Sequence, residues 1–214
     1  MIIRLDGSAN KKQVIQEAKA ILLRGGLVAC PTESFYGLAV DVDNEAAIGK
    51  LFSLKKRPTG RPVLILIPSS ESLATYVTHI PKVAVKLIRR FWPGGLTLVF
   101  EASERISPLL TAGTGKIGVR LSNHPVATAL ARSIERPVSG TSANISGAPP
   151  CRHAEEVMGY FGQEVDLIID GGKTAGGKGS TILDVTVDPP EIIREGMIQR
   201  NVLEKSVRTK TRQF

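Results

Sequence analysis

A chain of 214 residues, 42% of them hydrophobic, can bury a sizeable core, and at this length it could form one large domain or two small ones. Its 28 Lys and Arg against 20 Asp and Glu give a formal net charge of +8, a balance that favours nucleic acid, nucleotides or smaller anions as partners. No apolar run approaches the ~20 residues that span a bilayer, the opening MIIRLDGSANKK has no apolar signal core, and the two cysteines show no metal spacing, so a soluble, reduced, cytoplasmic protein without membrane contact is expected.

Residues 2–5 read as a first strand. Residues 8–10 then cap a helix whose Val14, Ile15, Ala18, Ile21 and Leu22 share one face, and Gly25-Gly26 ends it. LVAC, residues 27–30, reads as a short buried strand, and the Pro-Thr-Glu after it as a strand-end turn whose side-chain oxygens can face a ligand. Asn44 is placed to cap a second helix, with Ala47, Ile48, Leu51 and Phe52 at helical spacing. That helix ends where Lys55, Lys56, Arg57 and Arg61 begin. Two such cations would merely complement the helix dipole, but four so close together repel one another unless an anion sits among them, which points to a phosphate or carboxylate site.

Residues 63–67 form the next expected strand, Ser70 can cap a short helix through residue 77, and Pro81 opens a helix that runs to Phe91 before Pro93 stops it. Strands are expected over 96–100 and 117–121. Pro125 then opens the small-residue helix VATALARSI, a strand follows over 137–140, and the polar loop TSANISGAPP comes next. A helix over 154–161, a strand over 166–169, and a strand pair over 181–187 and 191–194 joined at Pro189-Pro190 complete the ordered part. From Asn201 onward Lys205, Arg208, Lys210 and Arg212 make a basic, solvated tail. The expected organisation is one α/β domain over 1–200, built on a twisted mixed sheet, and a tail over 201–214.

Three motifs admit competing readings. GGKTAGGKG fits the opening of a P-loop, yet Gly179 stands where a hydroxyl should hold Mg²⁺, and the following STILDVTV is strand-like where a helix is required. A glycine loop that lines or closes over an anion site, with Lys173 and Lys178, and a plain surface loop both remain open. SGTSANISG, residues 139–147, offers hydroxyls, an amide and approachable backbone N–H groups, and reads either as a phosphate loop or as an Asx/Ser turn that satisfies its own backbone. His79, His124 and His153 lack partners at metal-ligand spacing, and there is no G-x-S-x-G elbow, so neither a structural metal nor a serine hydrolase is expected.

Taken in order, PTESFYGLAVDV, LKKRPTGRPVLILI, FWPGGLTLVF, IGVRLSNHPVA, SGTSANISG, GGKGSTILD and IIREGMI resemble the YrdC/Sua5 family of L-threonylcarbamoyladenylate synthases, over roughly residues 18–198. The resemblance implies a single α/β domain whose twisted, mixed parallel and antiparallel sheet encloses a positively charged cavity, without the further C-terminal domain of the longer Sua5 type. It also implies condensation of L-threonine, bicarbonate or CO₂, and ATP to threonylcarbamoyl-AMP and pyrophosphate, with Mg²⁺ arriving on ATP. A separate transferase complex would then use the product for t6A modification of tRNAs that read ANN codons.

By the same resemblance, a K-x-R element falls on Lys55 and Arg57 and an S-x-N element on Ser142 and Asn144, all associated with nucleotide phosphates, with Lys55 and Arg57 the catalytic pair. Thr32 falls near threonine, Arg120 on its carboxylate, and Ser180, Thr181 and Arg194 on further cavity positions, Arg194 toward ATP. Departures are Leu66, where many longer members carry histidine, Arg61, and Lys116, where threonine is frequent. A cationic cavity would bring the carbamate anion to the α-phosphate and stabilise the departing pyrophosphate without a protein nucleophile. The competing expectation is a module that binds double-stranded RNA or the ribosome through the cavity rim and basic tail. Only 5% of residues are aromatic and none cluster among the cations, which favours the enzyme.

Overall fold

Short apolar and β-branched runs punctuated by Gly and Pro make ten strands among residues 1–208, the residues that this computed structural model describes. They are β1 (Ile2–Arg4), β2 (Val28–Pro31), β3 (Tyr36–Ala39), β4 (Leu64–Leu66), β5 (Leu96–Glu101), β6 (Lys116–Arg120), β7 (Val138–Ser142), β8 (Leu167–Asp170), β9 (Thr181–Asp184) and β10 (Glu191–Arg194). They join in one mixed sheet of order β1-β8-β2-β3-β7-β4-β6-β5-β9-β10. The pairs β1/β8, β2/β8, β4/β6 and β5/β9 are parallel, and the remaining neighbours are antiparallel.

The helices are α1 (Lys11–Leu23), α2 (Glu45–Leu54), α3 (Leu73–Tyr76), α4 (Lys82–Phe91), α5 (Pro108–Thr111), α6 (Pro125–Ile134), α7 (Ala154–Phe161) and α8 (Arg200–Arg208). Strand side chains alternate between the two faces of the sheet, and the two faces are covered differently. On one, Ile65, Leu98, Val119 and Leu183 pack with Ile48, Leu51 and Phe52 of α2, Leu87 of α4 and Val157 of α7. On the other, the apolar stripes of α1 and α6 cover Val28, Cys30, Ala39, Leu66, Val138, Leu167 and Ile169. Beyond the reach of those two helices the same face is open. There the alternate residues Leu64, Thr97, Val99, Gly118, Ile182 and Asp184 line a cavity.

All five residues expected on the buried face of α1 are buried, and the Asn44 side chain caps α2 by accepting from the Ala47 N–H at 3.0 Å. Asn10 does not cap α1 with its side chain; its Nδ2 donates to Arg4 O and its Oδ1 accepts from Asp6 N–H, so it ties the helix to β1. The short helix expected from Ser70 is confined to Leu73–Tyr76 and has no side-chain cap.

Three elements escaped the sequence reading. The strand β3 begins straight after a polar turn and carries Gly37, while α5 is four residues long, too short to show a period. The tail expected from Asn201 is instead helical to Arg208. Leu203 is 1% exposed and, with Val207, packs on the main core, because the stretch that looked merely basic carries one apolar face. Lys210 and Arg212 lie outside the described residues.

Candidate functional site

The cavity on the open sheet face holds about 570 Å³. Four cations line it, Arg57, Lys116, Arg120 and Arg194, with Asp184 the one carboxylate among its lining residues. Of the residues singled out in the sequence, Thr32, Arg57, Arg120, Ser142, Ser180 and Arg194 are brought together here. Lys55, Asn144 and Thr181 do not line it; each is buried behind the wall.

Lys55 and Arg57 part company at the end of α2. The Lys56 N–H donates to Ser53 O and the Arg57 N–H to Phe52 O, a pair of bonds that closes a helix by turning one residue left-handed. That residue is Lys56, at φ +47°, a conformation that a side chain other than glycine adopts at a cost of about 1–2 kcal/mol. The turn sends Arg57 to the cavity, where its Nε donates to Arg61 O (3.1 Å) and its Nη2 to Pro62 O (2.7 Å). Lys55 goes inward and is 1% exposed, its Nζ donating to Ser142 O at 2.5 Å and Asn144 O at 2.6 Å. Ser146 N–H donates back to Lys55 O at 2.8 Å. Lys55 therefore clasps the hydroxyl loop from behind. Burial, then the nearby charge of Arg57, pushes its ammonium down to about 8. Lys56 and Arg61 are exposed, and of the four cations Arg57 alone lines the cavity.

In that loop only Ser142 of the S-x-N pair faces the cavity. Asn144 donates through Nδ2 to Ile145 O (2.9 Å) and Ala148 O (2.7 Å), which fixes the turn. Its amide nitrogen answers to the self-satisfying reading of the loop, its Oδ1 is buried without a partner among the described residues, and the serine lines the cavity.

At another wall, Arg120 is 6% exposed and donates through Nε to Gly94 O at 2.8 Å, while Nη2 forms an ion pair with Glu33 Oε2. Glu33 Oε1 accepts from Ser122 Oγ (2.7 Å) and Asn123 N–H (2.8 Å). Burial alone would raise the Glu33 carboxyl, but Arg120 and these donors hold it below the usual carboxylate range. Thr32 closes the β2–β3 turn, with Oγ1 donating to Phe35 O at 2.7 Å, and still lines the cavity, as does Leu66.

Ser180 and Thr181 are consecutive, so only one of them can face the site. Ser180 does, its Oγ 2.8 Å from Thr97 Oγ1 and its carbonyl accepting from Arg194 Nη2 at 2.8 Å. Thr181, on the opposite face, donates from Oγ1 to Ile198 O and accepts from Gly196 and Ile198 N–H, which pins the REGMI segment to the sheet. Burial and then the nearby Arg120 depress the Arg194 guanidinium, as expected of cations gathered in one cavity.

Sequence reasoning missed the ion pair between Lys116 Nζ and Asp184 Oδ2 (2.9 Å), which lies in the cavity wall. The two residues sit on β6 and β9, which are separated in the sheet by β5, and nothing local links them in sequence. The glycine loop crosses from β8 to β9, held by Tyr36 Oη donating to Gly172 O and Gly176 N–H donating to Ser34 O. Gly179 lines the cavity, whereas Lys173 and Lys178 do not. A strand follows it where a P-loop needs a helix. His124 caps α6, its Nδ1 accepting from Val126 N–H at 3.3 Å. Asp184 is engaged by Lys116 and Thr186 and Glu33 by Arg120, so the wall offers a divalent cation no uncommitted carboxylate from either.

A family model described as "Telomere recombination", covering Sua5, YciO and YrdC proteins, matches residues 20–196. The chain is similar to the threonylcarbamoyl-AMP synthase of Pyrococcus abyssi, at 39% identity over 90% of this chain and 57% of that one. It is also similar to the proteins of the same name from Bacillus subtilis, at 36% identity over 92% and 57%, and from Photobacterium profundum, at 33% identity over 85% and 98%. The chain thus spans little more than half the length of the first two relatives. A crystal structure of P. abyssi Sua5 complexed with L-threonine superposes with a TM-score of 0.92 at 38% identity, over 96% of this chain and 60% of that one. Escherichia coli YciO superposes with 0.82 at 27% identity, over 93% and 96%.

Proposed function

Because the chain belongs to the Sua5/YciO/YrdC family, we propose that it is a threonylcarbamoyl-AMP synthase, joining L-threonine, bicarbonate or CO₂, and ATP. The observation that carries this reading is the gathering of Arg57, Arg120, Arg194, Ser142 and Ser180 around one cavity of small-molecule size. A pocket of that volume suits a nucleotide and an amino acid better than a nucleic-acid duplex, which argues against the RNA-binding alternative.

In this reading the threonine amine, as a free base, attacks CO₂ and forms an N–C bond with loss of a proton. A carbamate oxygen then attacks the α-phosphorus of ATP, and the bond to the departing pyrophosphate breaks. Both reactants are anions, so the chain's task is to bring like charges together. Arg57, Arg194 and Ser142 are assigned to the phosphates, Arg120 to the threonine carboxylate, and Thr32, Ser180 and Leu66 to the rest of the amino acid. Lys55 acts on the phosphates only through the loop it holds. Mg²⁺ would enter on the triphosphate and be held by it, since Asp184 of the wall and Glu33 behind it are already paired. The product would pass to a transferase complex for t6A modification of tRNA in the cytoplasm.

Pyrophosphate release from ATP tests the reading. Release is expected only when threonine and bicarbonate are both present; release with either one alone, or with neither, would refute it.

A further inference from the structure

Glu33 sits in the turn between β2 and β3, outside the set of residues assigned to any substrate, yet the side chains of Arg120 and Glu33 are only 8% and 12% exposed. The guanidinium of Arg120 is held along two edges, Nε by Gly94 O and Nη2 by Glu33 Oε2. Gly94 is itself fixed, its N–H donating to Leu121 O at 2.8 Å, and the Glu33 carboxylate is fixed by Ser122 Oγ and Asn123 N–H. Nη1 meets no protein acceptor among the described residues. An arginine on a strand would otherwise sample many rotamers; here both of its anchors are themselves anchored.

We propose that Glu33 is a positioning residue, whose carboxylate sets the plane of the Arg120 guanidinium so that Nη1 meets the carboxylate of the amino-acid substrate. This rests on the reading of the cavity as a threonine site. Two effects oppose each other when Glu33 loses its charge. Attraction between Arg120 and a substrate carboxylate grows, because a neighbouring anion is gone, but the orientation of the guanidinium is no longer enforced. For a buried guanidinium that meets the substrate through one nitrogen, misplacement is the larger effect, since losing one hydrogen bond to a charged group costs about 10-fold or more in affinity. Glu33 therefore acts through geometry, and its removal weakens binding.

Calorimetric titration of the full chain with L-threonine and, separately, with ATP distinguishes these effects. Glu33→Gln keeps an oxygen for Ser122 and Asn123 but removes the ion pair, and its threonine Kd should rise at least about 10-fold while its ATP Kd stays within about 2-fold. Ser122→Ala keeps the pair but loosens the carboxylate, and a smaller rise confined to threonine is expected; it decides the matter if Glu33→Gln does not fold. Threonine binding by both variants equal to or tighter than the parent's would overturn the proposal, as would equal losses for threonine and ATP. If the parent chain itself binds no threonine, the functional reading fails, and the role of Glu33 with it.

Discussion

Lys55→Ala is expected to lose stability and activity together, with the melting temperature falling by about 10 °C. The substitution removes a buried four-carbon stem, a large-to-small change of the kind that costs ~2–5 kcal/mol, and strips the buried Asn144 O of its donor at ~1–3 kcal/mol, while Ser142 O keeps the Asn144 N–H. Relief of a buried ammonium offsets part of this, leaving about 3–5 kcal/mol, and each kcal/mol shifts the melting temperature by ~2–4 °C for a chain of this size. Lys55→Met keeps the volume, so it should recover much of the stability and little of the activity.

The pH dependence of this residue has a definite sign. Its folded value of about 8 lies below the ordinary 10.5, so between those values the unfolded chain holds a proton that the folded one has released. The stability contributed by Lys55 therefore rises with pH over that window. The gap in melting temperature between the parent and Lys55→Met should widen from pH 8 to 10, and a constant gap would show that Nζ is not the buried group.

Arg57→Ala should separate activity from stability. Among the described residues its hydrogen bonds go to Arg61 O and Pro62 O in its own loop, so the melting temperature should change little, while turnover falls by ~10²–10³, the usual loss when one preorganised charge leaves a transition state. Arg57→Lys should restore part of the rate, because it returns the charge without the planar fork. Turnover in Arg57→Ala equal to the parent's would remove this arginine from the chemistry.

The contrast between these two residues shows what a sequence can and cannot tell. Helical spacing placed Val14, Ile15, Ala18, Ile21 and Leu22 on one face of α1, and the chemistry of an asparagine side chain placed the cap of α2, because both are local properties. The fate of Lys55 and Arg57 was not local. It depends on a left-handed turn at Lys56 that no glycine announces. Ser180 and Thr181 pose the same problem on a strand, where a one-residue change of register exchanges the cavity side chain for the structural one. Asn144 was attractive as a phosphate ligand, and its amide nitrogen donates within its own turn behind the cavity wall. Lys116 with Asp184, and Glu33 with Arg120, are pairs made by the curl of the sheet and by the β2–β3 turn, so the sequence showed their members without showing that they meet.

The most direct measurement follows the carbon of bicarbonate. The chain is incubated with Mg-ATP, L-threonine and ¹³C-bicarbonate, and the adenylate formed is analysed by mass spectrometry. A threonylcarbamoyl adenylate that carries the label from bicarbonate is the expected product. An adenylate of threonine without the carbamoyl carbon, or AMP and pyrophosphate with no labelled adenylate, would contradict the account.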